Sequence, residues 1–191
     1  MRKTKRLWAV TILGLALLLA SLTLACSLLD LRGQSTPKHF ENDELSFDYP
    51  GDWQTFSEMW STWEPSHDEA LDAEESVGVA ISGFSWSVRI ASKELPPDTA
   101  LKDVYEQTYK RSWISEYAKS HTISEGTTTV DGVTAYEKVY KRPHGEPWYQ
   151  MRDVWLEKDG AVYILSCWAL PDSFDEAQEE FKLIIESFHV K

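Results

Sequence analysis

Cysteine is what this sequence has least of: two residues in 191, Cys26 and Cys167. Cys26 closes an apolar N-terminal run, so no disulfide framework holds the chain and its fold must come from a packed core. A domain of about 150 residues buries roughly 70% of its unfolded surface, which is enough. Basic charge is scarce as well, with 19 Lys and Arg against 31 Asp and Glu and a net charge of −12. Such a surface repels phosphate backbones and anionic lipid heads, which argues against nucleic acid as a partner. There is no HExxH, P-loop, GxGxxG or GxSxG. Zinc-protease, nucleotide-handling and serine-hydrolase chemistry therefore have no motif to stand on, and we expect no enzyme activity, no cofactor and no metal. Repeats at solenoid or propeller periods are also missing.

What is present begins with a signal. Arg2, Lys3, Lys5 and Arg6 precede every acidic residue, and residues 7–25 are apolar or small, which is the plan of an export signal. The basic cluster stays cytoplasmic by the positive-inside rule, so everything after it faces the other side. Leu22-Thr23-Leu24-Ala25-Cys26 resembles the lipobox of bacterial lipoproteins, in which a small residue precedes the cysteine that is diacylated and becomes the new N-terminus. Thr23 stands where that family has Leu. The alternative is an uncleaved transmembrane anchor, because residues 7–29 carry no charge and about 20 apolar residues span a bilayer. We expect a signal peptide over 1–25, a tether over 26–38 broken by Gly33 and Pro37, and one domain over 39–191. Loss of the four leading basic residues leaves 15 basic against 31 acidic groups, a net −16.

Within the domain, Leu45, Phe47 and Tyr49 alternate with Ser46 and Asp48, marking a strand with one buried face that Pro50-Gly51 ends. Residues 77–84 and 86–92 read as two more strands. Pro96-Pro97-Asp98 offers Asp98 as the N-cap of a helix of about five turns, whose stripe is Leu101, Val104, Tyr105, Thr108, Tyr109 and Trp113. Asp131-Gly132 and Asp159-Gly160 each separate β-branched and aromatic runs, predicting two tight hairpins. Residues 162–168 are apolar at almost every position, as expected of a central strand covered on both sides. Ser173 and Glu176 form a capping box ahead of a closing helix with Phe174, Ala177, Phe181, Ile184, Ile185 and Phe188 on one face. The fold class is α+β: an antiparallel sheet of about six strands flanked by helices on both faces, preceded by an N-terminal signal helix.

Glu44-Leu-Ser-Phe-Asp-Tyr-Pro-Gly-Asp-Trp53 resembles the opening of PsbP-like domains, where an alternating strand ends in Tyr-Pro and a tryptophan follows. The Tyr163-Ile-Leu-Ser166 strand, a short loop and a helix ending in Ile-Ile-Glu-Ser-Phe resemble the same family's close. The resemblance spans residues 40–190 and implies an antiparallel sandwich. Its known members include a lumenal photosystem II assembly subunit, a Ran-binding import factor and many bacterial lipoproteins. It implies protein binding rather than catalysis.

The candidate contact surface starts with Tyr136, Lys138, Tyr140 and Arg142, two aromatics and two cations alternating on one strand face. If open, that face suits a partner; if a helix lies on it, the tyrosines are covered and the cations snorkel past. His144, Glu146 and Trp148 extend it through a Pro-flanked loop. The stretch 64–75 gathers six carboxylates and His67, either a solvated acidic loop or a weak cation site without EF-hand spacing. Cys167, mid-strand among apolar neighbours, reads as a core thiol. These features point to a membrane-anchored extracytoplasmic lipoprotein that acts as a non-catalytic interaction or assembly module. Its expected partners are the membrane, through its N-terminal lipid, and another envelope protein. The alternative is a binder of small ligands or cell-surface polymer, since eight of the nine tryptophans follow residue 50.

Overall fold

Alternating apolar residues and tight turns make the described residues mostly strand. The computed structural model describes residues 36–56, 75–80, 86–110, 121–143 and 148–191. In chain order these form β1 (Lys38–Glu41), β2 (Leu45–Tyr49), β3 (Gln54–Phe56), β4 (Glu75–Ala80), β5 (Trp86–Glu94), α1 (Leu101–Lys110), β6 (Thr122–Val130), β7 (Val133–Pro143), β8 (Trp148–Lys158), β9 (Ala161–Ala169), α2 (Gln178–Ser187) and β10 (His189–Val190). The strands make two antiparallel sheets. One is three-stranded in the order β1-β2-β10; the other is seven-stranded in the order β3-β4-β5-β9-β8-β7-β6. The expected single sheet of about six strands is therefore corrected: the Leu45–Tyr49 strand leaves the main sheet and pairs with strands from both ends of the domain.

β9 sits in the middle of the large sheet, between β5 and β8. Its apolar character on both sides has a direct cause. Val162, Ile164 and Trp168 belong to one core cluster, together with Leu101, Tyr105 and Tyr109 of α1. Tyr163, Leu165, Cys167 and Ala169 belong to another, with Phe181, Ile184 and Ile185 of α2 and Leu45, Phe47 and Tyr49 of β2. Phe47 and Phe181 are both fully buried, and burial of each such side chain contributes about 2–3 kcal/mol.

Both Asp-Gly hairpins form as the dipeptides require. Asp131 and Gly132 have φ of 50° and 76°, and Asp159 and Gly160 have φ of 53° and 82°, the left-handed pair of a type I′ turn. Two helix starts differ from expectation. Asp98 does not cap α1; it takes φ 62° in a turn closed by the Thr99 N–H to the Pro96 carbonyl. The helix begins three residues later, on the Ala100 carbonyl. Ser173 does not cap α2, because Pro171 starts a 3-10 turn that runs through Ser173 and the N-cap falls at Ala177. Trp113, the last residue of the predicted α1 stripe, lies outside the described residues, as do residues 81–84, the end of the predicted 77–84 strand.

Candidate functional site

Strand period two puts Tyr136, Lys138 and Tyr140 of β7 on one face, and α1 lies over that face through Tyr105 and Tyr109. Ladder register then sets a polar row across the sheet. Glu125 faces Lys138, Lys138 faces Asp153, Asp153 faces Ser166 and Ser166 faces Arg89. The Lys138 Nζ donates to Glu125 Oε2 at 2.8 Å, and the Tyr105 hydroxyl donates to Glu125 Oε1 at 2.7 Å. The Tyr109 hydroxyl donates to Asp153 Oδ2 at 2.6 Å and accepts from the Trp155 indole N–H at 3.2 Å. Lys138 Nζ also lies 4.9 Å from the centre of the Tyr109 ring, a cation–π contact.

These surroundings fix protonation. Burial, then the nearby Asp153 charge, pushes the Tyr109 hydroxyl well above its ordinary value, and burial followed by the Glu125 hydrogen bond does the same to Tyr105. The hydrogen bond from Lys138 holds the Glu125 carboxyl below its usual range. The tyrosines are thus neutral donors and Glu125 an ionised acceptor throughout the neutral range. Nothing in these three groups is poised near pH 7 to take and return a proton, which general acid–base work requires. The row fastens α1 to the sheet through charge-assisted bonds.

A second polar cluster ties the chain's end to the hairpins. Asp131 accepts from Lys158, from the Val190 N–H at 2.9 Å, and pairs with His189 Nδ1 at 2.7 Å. Burial alone would raise the Asp131 carboxyl; the Lys158, Val190 and His189 contacts overcome it and hold the group below its usual value. Among the described residues no group of three or more His, Cys, Asp or Glu is placed to hold a metal ion.

With α1, α2 and this arrangement of strands in view, the decisive match is to the family described as PsbP-like protein, which covers residues 27–190. The chain belongs to the PsbP-like family. Solved structures with the same fold include cyanobacterial PsbP (CyanoP) from Synechocystis sp. PCC 6803, 15% identical with a TM-score of 0.58, over 84% of this chain and 96% of that one. LpqN of Mycobacterium tuberculosis, described as involved in cell envelope biogenesis, is 16% identical with a TM-score of 0.52, over 87% and 96%. A Bacteroides thetaiotaomicron protein is 12% identical with a TM-score of 0.55, over 83% of this chain and 49% of its own. No curated protein matches the chain in sequence.

In this PsbP-like domain the strand face expected to meet a partner is covered. Tyr140 is 1% exposed and Lys138 6%, and Tyr136, half-buried, stacks on Tyr105 with ring centres 5.1 Å apart. Of the two arrangements open to this face, the covered one is found: α1 lies over these three residues, and Lys138 is neutralised inside by Glu125 rather than snorkelling out. Arg142 continues the ladder opposite Tyr149. Trp148, half-buried, meets the His121 ring edge-on at 4.6 Å. His144, Glu146, Cys26 and residues 64–74 lie outside the described residues. Cys167 is fully buried, and burial pushes its thiol far up. Sequence reasoning missed Asp153, although a carboxylate alternating with Met151 and Trp155 on an otherwise apolar strand face was a signal available to it.

Proposed function

We propose that this PsbP-like protein is a non-catalytic accessory protein of the cell envelope, lipid-tethered through Cys26 outside the cytoplasmic membrane, that works by binding another envelope protein. One observation carries the reading: the side chains best suited to chemistry in the described domain are committed internally. Glu125, Lys138, Tyr109 and Asp153 hold α1 to the sheet, Asp131 locks the chain's end, and the Cys167 thiol is buried and protonated. The description of LpqN, whose fold is similar, as involved in envelope biogenesis supports the compartment. Among the described residues no helix is long and apolar enough to cross a membrane, and the attachment proposed here rests on the N-terminal segment.

The experiment is crosslinking of tagged protein in its own cells, with Cys26→Ser alongside, followed by purification from membranes. We expect a stoichiometric protein partner with the parent chain and loss of both membrane attachment and partner with Cys26→Ser. A variant that stays membrane-bound at unchanged length would replace the lipid by a transmembrane anchor; a membrane fraction free of any partner would end the binding reading.

A further inference from the structure

The large sheet has two ends, and the sequence treats them differently. β3 is a three-residue edge, short in the way natural sheets keep edges closed to pairing. β6, at the other end, runs nine residues as Thr-Ile-Ser-Glu-Gly-Thr-Thr-Thr-Val, and all but Thr128 and Val130 are exposed. It contains no proline and no lysine. Its one charge, Glu125, is matched by Lys138 of the neighbouring strand. Ile123, 53% exposed, is the large hydrophobic left open among the described residues. A register irregularity between Thr122 and Ser124 ends the regular ladder on one side, so the usable edge is the stretch from Ser124 to Val130.

The hairpin fixes which backbone groups that edge presents. A two-residue type I′ turn closes on a pair that exchanges both hydrogen bonds, here Val130 and Val133. Alternation along the antiparallel ladder then directs the N–H and C=O of Glu125, Thr127 and Thr129 away from β7. Three successive donor–acceptor pairs thus face outward along a strand made mostly of β-formers.

We propose that β6 is a strand-addition site that takes an extended, basic segment of a partner protein as an eighth strand. This rests on the reading of the domain as a binding module and names its surface. Charge selects the occupant. A chain of net charge −12 sets like against like when a second copy approaches, whereas a Lys- or Arg-rich segment is drawn in. The threonines of the edge supply no charge of their own to oppose it.

The test uses the full chain, lipid site replaced as Cys26→Ser, and a short blocked peptide of alternating Lys and Val. The controls are its Glu-for-Lys twin and a version N-methylated at alternate residues. The expected result is saturable binding of the Lys peptide that slows amide exchange at Glu125, Thr127 and Thr129 and leaves Gly126 and Thr128, already bonded to β7, unchanged. N-methylation should abolish it, and the Glu twin should bind about tenfold more weakly or worse. Thr127→Pro removes an outward N–H without touching the ladder to β7 and should weaken binding about tenfold. Binding that leaves those three amides unprotected, or that the Glu twin reproduces, would overturn the proposal. So would a concentration-dependent dimer that Thr127→Pro dissolves, which would give the edge to a second copy. Failure here leaves the crosslinked partner untouched; absence of that partner would instead remove the binding reading itself.

Discussion

At the scale of single residues the domain is held by groups that sequence periodicity hides. Tyr109→Phe removes the hydroxyl that donates to Asp153 and accepts from Trp155, and should cost about 2 kcal/mol in a urea titration near neutral pH. Its pH dependence has a definite sign. The folded Tyr109 hydroxyl titrates well above its ordinary value of 10.0, so its contribution is complete below about pH 10 and is lost as pH rises beyond it. The parent should weaken in alkali more steeply than the variant; parallel pH profiles would contradict this. Cys167, in a Cys26→Ser background where it is the one remaining thiol, should resist thiol reagents until the chain unfolds, because it is buried and protonated. Labelling of the native protein at the unfolded rate would refute that burial. The core position of Cys167 was legible in its apolar strand. The partner of Asp153 was not, because a hydrogen bond between residues 44 apart in sequence leaves no local pattern.

At the scale of elements, legibility followed the locality of the physics. The two Asp-Gly hairpins were readable because φ > 0 is demanded within two residues, and α1 because its stripe repeats over one face. The helix starts at Asp98 and Ser173 failed for the opposite reason: a turn after Pro96 and a 3-10 turn at Pro171 claimed residues that a cap rule assigns to helices. Whether the face of β7 was open or covered could not be decided from its own sequence, because nothing there says which helix lies above it. The Asp131 turn carries the element-level prediction. Asp131→Asn keeps a residue tolerant of φ 50° but loses the ion pair with Lys158, and should cost about 1 kcal/mol. Asp131→Ala should cost about 1 kcal/mol more, for the left-handed backbone. Thermal unfolding of both variants distinguishes the two contributions, and equal losses would show that the turn geometry is irrelevant. Since the folded Asp131 carboxyl is held low, the parent's advantage over Asp131→Asn should be present above about pH 4 and fade as pH falls below it.

At the scale of the molecule, strand order was beyond the sequence, since β2 reads as one more member of a single sheet and pairs instead with β1 and β10. Deleting residues 189–191 removes β10, the buried Val190 and the His189 contact with Asp131. It should lower stability by about 3 kcal/mol, read as a fall in the urea midpoint; an unchanged midpoint would mean that the chain's end merely rests on the sheet. The same small sheet has a mechanical meaning. Force arriving from the N-terminal side enters at Lys38, which faces Tyr49 at the open end of the β1–β2 pair. There the paired residues separate in succession, as in a zip, instead of shearing together. The four-residue β1 would yield first, breaking the stack of Phe40 on Phe47 and the His39–Asp48 and Glu41–Lys191 contacts, and release its own length of chain while the seven-stranded sheet stays intact. Force spectroscopy from the N-terminus should record that release as a small, reversible step below the main rupture, so that under the proposed lipid attachment β1 would serve as a shock absorber for the body behind it.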